Sequence, residues 1–157
     1  TDGAGEFGWR NHVVASIDGQ VVAAGAGFGS ESALSFTLAA ARQIVGHYGL
    51  RGGAVIVRGL RTERVIRPPA RVEWYLAHLG VVPALRGQGI GQCLVKHLLV
   101  QGRAAGKKLA TLDVAATNPR AQALYARMGF AVIAEHQSAL HNARGSVPAH
   151  RRMQLPL

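Results

Sequence analysis

A short glycine-rich turn has the clearest chemical potential in this sequence. An apolar run ends at Val82, and Pro83–Leu85 and the segment Arg86–Gly91 (RGQGIG) follow, where a helix is predicted to begin. The first amides of a helix lack partners within the helix and carry partial positive charge. Glycines let a phosphate group approach these amides closely, and Arg86 adds a cation beside them. The segment therefore predicts a diphosphate site, and the structural alternative is a tight turn without a ligand.

A second glycine-rich turn, Gly25–Ser30, competes with the first for this role. It follows an apolar run and precedes a predicted helix, as a dinucleotide-binding turn does. Ser30 replaces the third glycine of that pattern, and the Asp18-Gly19 hairpin makes the preceding strand antiparallel to its neighbour. Arg58 ends the next apolar run where an acidic residue is expected. Since an arginine suits a phosphorylated nucleotide, this site remains an alternative.

The elements that must position these turns alternate between strands and helices. The runs His12–Ile17 and Gln20–Ala26 flank Asp18-Gly19, which is a strong hairpin signal. The remaining pattern predicts helices from Ser30 or Ser32 to His47, over Ala54–Val65, from the Gly87–Gly91 loop to Ala105 and from Pro119 to Gly129. It predicts strands over Val72–Val82, Lys108–Ala115, Phe130–Glu135 and Arg151–Leu155. The stretch Gln137–Ala149 is predicted to be a loop. This order predicts an α/β (mixed α+β) fold, with one mixed sheet flanked by helices.

Two blocks of sequence, taken together, resemble a known family. Arg86–Gly91 fits the pattern Gln/Arg-x-x-Gly-x-Gly/Ala, and the strand Glu73–Val81 precedes it. Asn118–Ala121, followed by Leu124-Tyr125 and Met128–Phe130, forms the second block, with a helix and a strand between the two. In this combination the chain resembles the GNAT superfamily of N-acetyltransferases, most strongly over residues 72–133.

The resemblance implies that residues 1–157 form a single GNAT-like domain. The chain departs from the family's pattern at its beginning. In the family a strand and one or two helices usually precede the hairpin, whereas here only about eleven residues do. The helical stretch Ser32–Val65 is also longer than the family's minimum. The domain is therefore expected to lack the family's usual N-terminal strand and helices, which wall the acceptor site in relatives.

The resemblance implies that acetyl-CoA binds where the family's fourth and fifth strands splay apart. The pantetheine arm would pair like an added strand with the backbone of Leu79 and Val81, and an amide near Gly80 would stabilise the oxyanion. The implied cofactor-binding set is Leu79, Gly80, Val81, Arg86, Gly87, Gln88, Gly89, Ile90, Gly91, Asn118 and Ala121. For Asn118, a plain helix cap before Pro119 is the structural alternative, and both roles can hold together.

Tyr125 occupies the position of the family's general acid. A phenol with a pKa near ~10 would protonate a departing thiolate with a pKa near ~8.5. The structural alternative is a core aromatic residue on a helix face.

An acceptor amine must lose a proton before it attacks a thioester, so a base is expected near the fourth strand. Strand alternation places Glu73 and Tyr75 on one face, and Trp74 and His78 on the other. Glu73 is the only carboxylate of this strand and is the first choice, with an ion pair to Arg71 as its structural alternative. Tyr75 matches the position of the base in several relatives. His78 is a weaker candidate, unless a bulge reverses its direction.

Composition limits the remaining possibilities. Cys93 is the only cysteine, and the histidines show no metal-ligand spacing, so neither an internal disulfide nor a metal is expected and a cytoplasmic setting fits. No apolar run reaches the roughly 18 residues that span a bilayer. The net charge of +10 favours anionic ligands, or reflects an arginine-rich coding bias.

The leading hypothesis is an N-acetyltransferase that passes an acetyl group directly from acetyl-CoA to a primary amine of unknown identity. The alternative is a non-catalytic acyl-CoA sensor, or a basic binding module, on the same fold. A nucleic-acid binder would depend on the charge alone, because no recognition motif accompanies it. The acceptor and the oligomeric state stay open, although dimers are common among similar proteins.

Overall fold

The protein is built around a six-stranded mixed sheet. The computed structural model describes residues 3, 5–49, 52–62, 67–138, 141–142, 145–146 and 148–157. The strands are β1 (His12–Ile17), β2 (Gln20–Phe28), β3 (Glu73–Val81), β4 (Leu109–Ala115), β5 (Ala131–His136), β6 (His141–Asn142), β7 (Gly145–Ser146) and β8 (His150–Pro156), and the helices are α1 (Ala33–Tyr48), α2 (Gly52–Thr62), α3 (Ile90–Ala104) and α4 (Pro119–Arg127). The mixed α/β fold that the sequence predicts is confirmed.

The strand order is β1-β2-β3-β4-β8-β5. The central pair, β3 and β4, is parallel, and every other neighbouring pair in this sheet is antiparallel. A parallel pair needs a crossover connection, which α3 supplies between β3 and β4. The glycine-rich turn before α3 therefore lies at the carboxyl end of β3, in the middle of the sheet.

The hairpin predicted at Asp18-Gly19 is confirmed. Asp18 has φ +50° and Gly19 has φ +76°. A two-residue turn with both central residues in the left-handed region matches the twist of the strands it joins.

The hydrophobic core lies between α3 and one face of the sheet. Helix α3 contributes Leu94, Val95, Leu98 and Leu99, all of them buried, while Ile90 is half-buried. The core-facing residues of the central strands alternate with polar ones, as strand geometry requires. The buried core-facing set includes Leu76, Ala110, Leu112, Val114 and Met153.

The other face of the central strands is unusually polar. Glu73, Thr111 and Arg152 are buried on it. Helix α1 reaches this face at one edge, where Phe36 packs edge-on against Phe28 with ring centroids 5.2 Å apart.

The two helices between β2 and β3 form as predicted, with different bounds. Ser32 precedes α1 but makes no side-chain capping hydrogen bond, so the predicted serine cap is wrong in its chemistry. The predicted end of the second helix at Val65 lies outside the described residues. Leu34 and Leu38 are exposed, because α1 packs mainly against α2 and touches the sheet little.

Two further predictions need correction. The predicted loop Gln137–Ala149 contains the paired strands β6 and β7. The rival turn at Gly25–Ser30 is not a loop that leads straight into a helix, because Gly25 and Gly27 belong to antiparallel β2 and a 3-10 turn over Ser30–Ser32 comes before α1. A side chain on Gly25 would put its Cβ 2.7 Å from Leu79 Cδ2, so close packing explains this glycine.

Candidate active site

A groove opens in the middle of the sheet where β3 and β4 separate. The two strands pair only from Glu73 to Tyr75 on β3 and from Leu109 to Thr111 on β4. Beyond these pairs β3 remains bonded to β2, and β4 remains bonded to β8. A groove of about 740 Å³ lies at this opening and is lined by the end of β3, the glycine-rich turn, α3 and α4.

The groove contains most of the predicted cofactor-binding set. The lining includes Leu79, Gly80, Val81, Arg86, Gly87, Gly89, Ile90, Gly91, Asn118, Ala121 and Tyr125. Gln88 is exposed and is not part of this lining, so its side chain is not brought to the groove. Residues more than forty positions apart in the chain therefore meet in one groove, as expected for a ligand-binding site.

The glycine-rich turn has the backbone conformation that a phosphate site needs. Gly87 has φ +90° and Gly89 has φ +82°, both in the left-handed region. Gly89 is the N-terminal capping residue of α3, and no side chain caps the helix. The first amides of α3 are consequently left for a ligand in the groove, where helix polarity favours an anion.

Three arginines surround this turn, and sequence reasoning identified only one of them. Arg86 donates a hydrogen bond from Nε to the backbone oxygen of Val81 at 3.0 Å, which fixes it to the end of β3. Arg120 and Arg127, on α4, also line the groove. Their spacing of seven residues puts them on the same face of a helix, and this signal was available in the sequence.

Two of the predicted cofactor-binding residues lie at the start of α4. The Oδ1 atom of Asn118 accepts a hydrogen bond from the Ala121 amide at 3.1 Å, which confirms the predicted helix cap. Both residues line the groove as well.

Tyr125 is buried at the inner wall of the groove. It is 8% exposed, and its ring packs against Phe130 with centroids 6.0 Å apart. Burial raises the pKa of Tyr125 above its ordinary value, because the phenolate would lose its hydration. The phenol therefore keeps its proton at neutral pH, as a general acid must.

The structure does not bring Glu73 to the groove, which argues against the predicted role as base. Glu73 lies in the closed part of the sheet, and its carboxylate accepts hydrogen bonds from the Ala70 amide, Arg152 and Gln154. The predicted partner Arg71 is also wrong, because the ion pair is made with Arg152 at 2.9 Å. A carboxylate held in this way by a buried guanidinium is committed to the fold.

Tyr75 is also held by a buried polar contact. Its hydroxyl donates a hydrogen bond to Oδ2 of Asp113 at 2.9 Å, and the residue is only 7% exposed. Burial and the Asp113 carboxylate raise the pKa of Tyr75 far above its usual range. The Tyr75 hydroxyl therefore donates its proton to Asp113, and Tyr75 is not part of the groove lining.

Asp113 is a residue that sequence reasoning missed. It lies on β4 two positions beyond the last residue paired with β3, and its side chain is 1% exposed. Arg152 lies 3.4 Å from its Oδ2 atom, while its buried Oδ1 atom has no hydrogen-bond partner in the described part of the protein. The only available signal was a lone acidic residue in an apolar strand.

A bulge in β3 changes the direction of His78. Ala24 pairs with Gly80 and Ala26 with Ala77, so His78 and Leu79 together lie opposite Gly25. His78 has φ +55°, a conformation that few non-glycine residues adopt. The extra residue moves Leu79 to the face of α3 and His78 to the face of Tyr75, so simple alternation placed His78 wrongly.

The comparison with protein families agrees with this geometry. A family model described as the acetyltransferase (GNAT) family matches residues 6–130. The chain therefore belongs to the GNAT family. No curated protein sequence matches it.

Solved structures show the same fold at low sequence identity. The ribosomal-protein-S18-alanine N-acetyltransferase of Escherichia coli is 18% identical with a TM-score of 0.58, and the match covers 98% of this chain and 80% of that one. Another protein, described as an acetyltransferase, is 24% identical with a TM-score of 0.67, with coverage of 97% and 72%. A Salmonella typhimurium protein solved with its cofactor acetyl-CoA is 18% identical with a TM-score of 0.61, with coverage of 93% and 64%.

The described residues contain no helix long and apolar enough to cross a membrane. Within the same residues, no group of three or more histidine, cysteine, aspartate or glutamate side chains is arranged to hold a metal ion.

Proposed function

We propose that this protein transfers an acetyl group directly from acetyl-CoA to a primary amine. The observation that carries the proposal is the groove between β3 and β4, which combines left-handed glycines, uncapped helix amides and a buried phenol. Family membership supports acetyl-CoA as the donor.

Different residues along the groove would bind different parts of acetyl-CoA. The amides that begin α3 would hold the diphosphate, and Arg86, Arg120 and Arg127 would neutralise its charge. Beyond Tyr75 the residues of β4 do not pair with β3, so backbone groups of Leu79 and Val81 would pair with the pantetheine amides, although the Val81 oxygen already accepts a hydrogen bond from Arg86. A thioester bound in this way would lie where the two strands diverge.

The reaction then requires positioning and two proton transfers. A neutral amine attacks the thioester carbonyl, and an amide of β3 near Gly80 would stabilise the negative charge on oxygen. Tyr125 would give its proton to the departing sulfur. Holding the amine and the thioester together supplies much of the rate, because the attack becomes effectively intramolecular.

A transfer assay tests this function. Purified protein is incubated with acetyl-CoA and a panel of primary amines, including amino acids, peptides with free N-termini and small alkylamines, while free thiol and acetylated product are both measured. Stoichiometric thiol and amide are expected with at least one acceptor. Acetyl-CoA binding without transfer to any amine would favour the sensor alternative, and no binding at millimolar cofactor would end both.

A further inference from the structure

Phe7, His12 and Glu6 gather around His78 on the face of β3 opposite α3. The His78 ring stacks on Phe7, with centroids 4.7 Å apart, and on His12, with centroids 5.1 Å apart. Glu6 lies 3.6 Å from Nε2 of His78. His78 directly precedes Leu79, which lines the groove, and its side chain lies on the opposite face of β3 at the same level of the strand.

The hydrogen bonds of this cluster fix the proton positions in the neutral state. Nδ1 of His12 lies 3.0 Å from the backbone oxygen of Gly8, which can only accept, so this nitrogen carries the proton. Nε2 of neutral His12 is therefore an acceptor, and it lies 3.1 Å from Nδ1 of His78. His78 must donate from Nδ1, which leaves its Nε2 atom unprotonated.

We propose that His78 is the base that deprotonates the acceptor amine, and that Glu6 and His12 position it and tune it. This inference rests on the proposed acetyl transfer. An imidazole whose Nδ1 proton is held by a partner presents the lone pair of Nε2, as in other catalytic histidines.

The charges around His78 fit this role. Burial, followed by the charge of His12, lowers the pKa of His78 below its ordinary value, which favours the neutral ring. When Nε2 takes a proton, the Glu6 carboxylate at 3.6 Å stabilises the imidazolium. The Glu6 charge also contributes to the raised pKa of Tyr75, after burial and Asp113. Tyr75 and its partner Asp113 lie farther along the same face.

Access distinguishes His78 from the other candidate bases. The His78 side chain is 25% exposed, whereas that of Asp113 is 1% exposed. Glu73 is held by Arg152, and Tyr75 by Asp113. Among these candidates, His78 combines an unprotonated nitrogen with the more exposed side chain.

The proposed steps balance. The acceptor ammonium gives one proton to Nε2 of His78, and the free amine forms the carbon–nitrogen bond as the carbon–sulfur bond breaks. Tyr125 protonates the thiolate, and the new amide nitrogen loses its second proton, which restores the phenol directly or through water. One proton is released to solvent from His78 at the end of each cycle.

The first test uses His78→Asn, because asparagine tolerates the left-handed conformation at this position. We expect kcat/KM to fall by about 10²-fold or more, with loss of the acidic limb of its pH profile. The affinity for acetyl-CoA, measured by calorimetry, should stay unchanged, which shows that the variant is folded. A wild-type pH profile with a rate within twofold would overturn the proposal.

Two neighbours give opposite shifts that a merely structural role would not produce. His12→Phe keeps the ring but removes a cause that lowers the pKa of His78, so the acidic limb should move to higher pH. Glu6→Gln removes the carboxylate beside Nε2, so the limb should move to lower pH. Shifts absent in both variants would contradict the assignment.

Asp113→Asn distinguishes the competing base. If His78 is the base, this variant keeps the acidic limb, whereas loss of the limb here and its survival in His78→Asn would transfer the role to Asp113. Nitrogen NMR of the free protein gives a readout independent of turnover, with Nδ1 of His78 expected to be protonated and Nε2 bare. Failure of wild-type transfer with every amine, despite this tautomer, would reject the proposed function rather than the proton assignment.

Discussion

Nη2 of Arg152 lies 2.9 Å from Oε2 of Glu73, although the two residues are 79 positions apart in the sequence. Both side chains are nearly buried, at 8% and 11% exposure. Arg152 also contacts Asp113 and the ring of Tyr75, with its guanidinium carbon 5.6 Å from the ring centroid. This network joins β3, β4 and β8 beneath the groove, and it explains why Glu73 belongs to the fold rather than to the chemistry.

Glu73→Ala should lower the free energy of unfolding by about 3 kcal/mol, because the buried Arg152 charge would lose its main partner. Denaturant unfolding measures the change. Glu135→Gln, which removes the exposed ion pair with Arg151, is the matched control and should leave the midpoint unchanged. Equal stability of Glu73→Ala and wild type would contradict the structural role.

Tyr125→Phe should reduce kcat by about 10²-fold, because the thiolate would leave without a proton donor. The affinity for acetyl-CoA should change little, since the ring and its packing on Phe130 remain. Steady-state kinetics and calorimetry separate these two quantities. Unchanged turnover would remove Tyr125 from the mechanism.

Gly89→Ala should weaken acetyl-CoA binding by about tenfold, or 1.4 kcal/mol. Gly89 has φ +82°, so a side chain strains the turn, although no described atom lies within 4 Å of the new Cβ. The methyl group would instead meet the phosphate. Gly53→Ala, also in open space but without a positive φ, is the control and should bind normally.

Arg120→Ala should weaken coenzyme A binding by roughly tenfold, as expected for loss of one charged hydrogen bond. The Nη2 atom of Arg120 lies 3.4 Å from the Cβ position of Gly87, beside the turn. Pantetheine, which lacks the phosphates, should bind the variant and wild type equally. An equal loss for both ligands would mean that Arg120 acts on the pantetheine arm.

The sequence was most informative where chemistry is local. The Asp18-Gly19 turn, the Asn118 cap and the helix start at the glycines before α3 depend on neighbouring residues alone, and these local structures are confirmed. Most residues that line the groove could be predicted, because β3 and α3 are close together in the chain.

Contacts between distant strands were not predictable in the same way. Alternation predicts on which face of the sheet Glu73 lies. It does not predict that Glu73 lies in the closed part of the sheet rather than beside the groove, because the pairing there involves β4 and β8. One extra residue at the bulge reversed the direction of His78, and no local pattern marks it. The exposed face of α1 likewise depends on packing against α2 rather than on its apolar spacing.

The most direct test of the account is a structure of the protein with bound acetyl-CoA. The diphosphate is expected on the amides of Gly89–Gly91 and the pantetheine arm beside Leu79–Val81, with the sulfur close to the Tyr125 hydroxyl. A groove that stays free of ligand at saturating acetyl-CoA, or a ligand bound elsewhere on the protein, would contradict it.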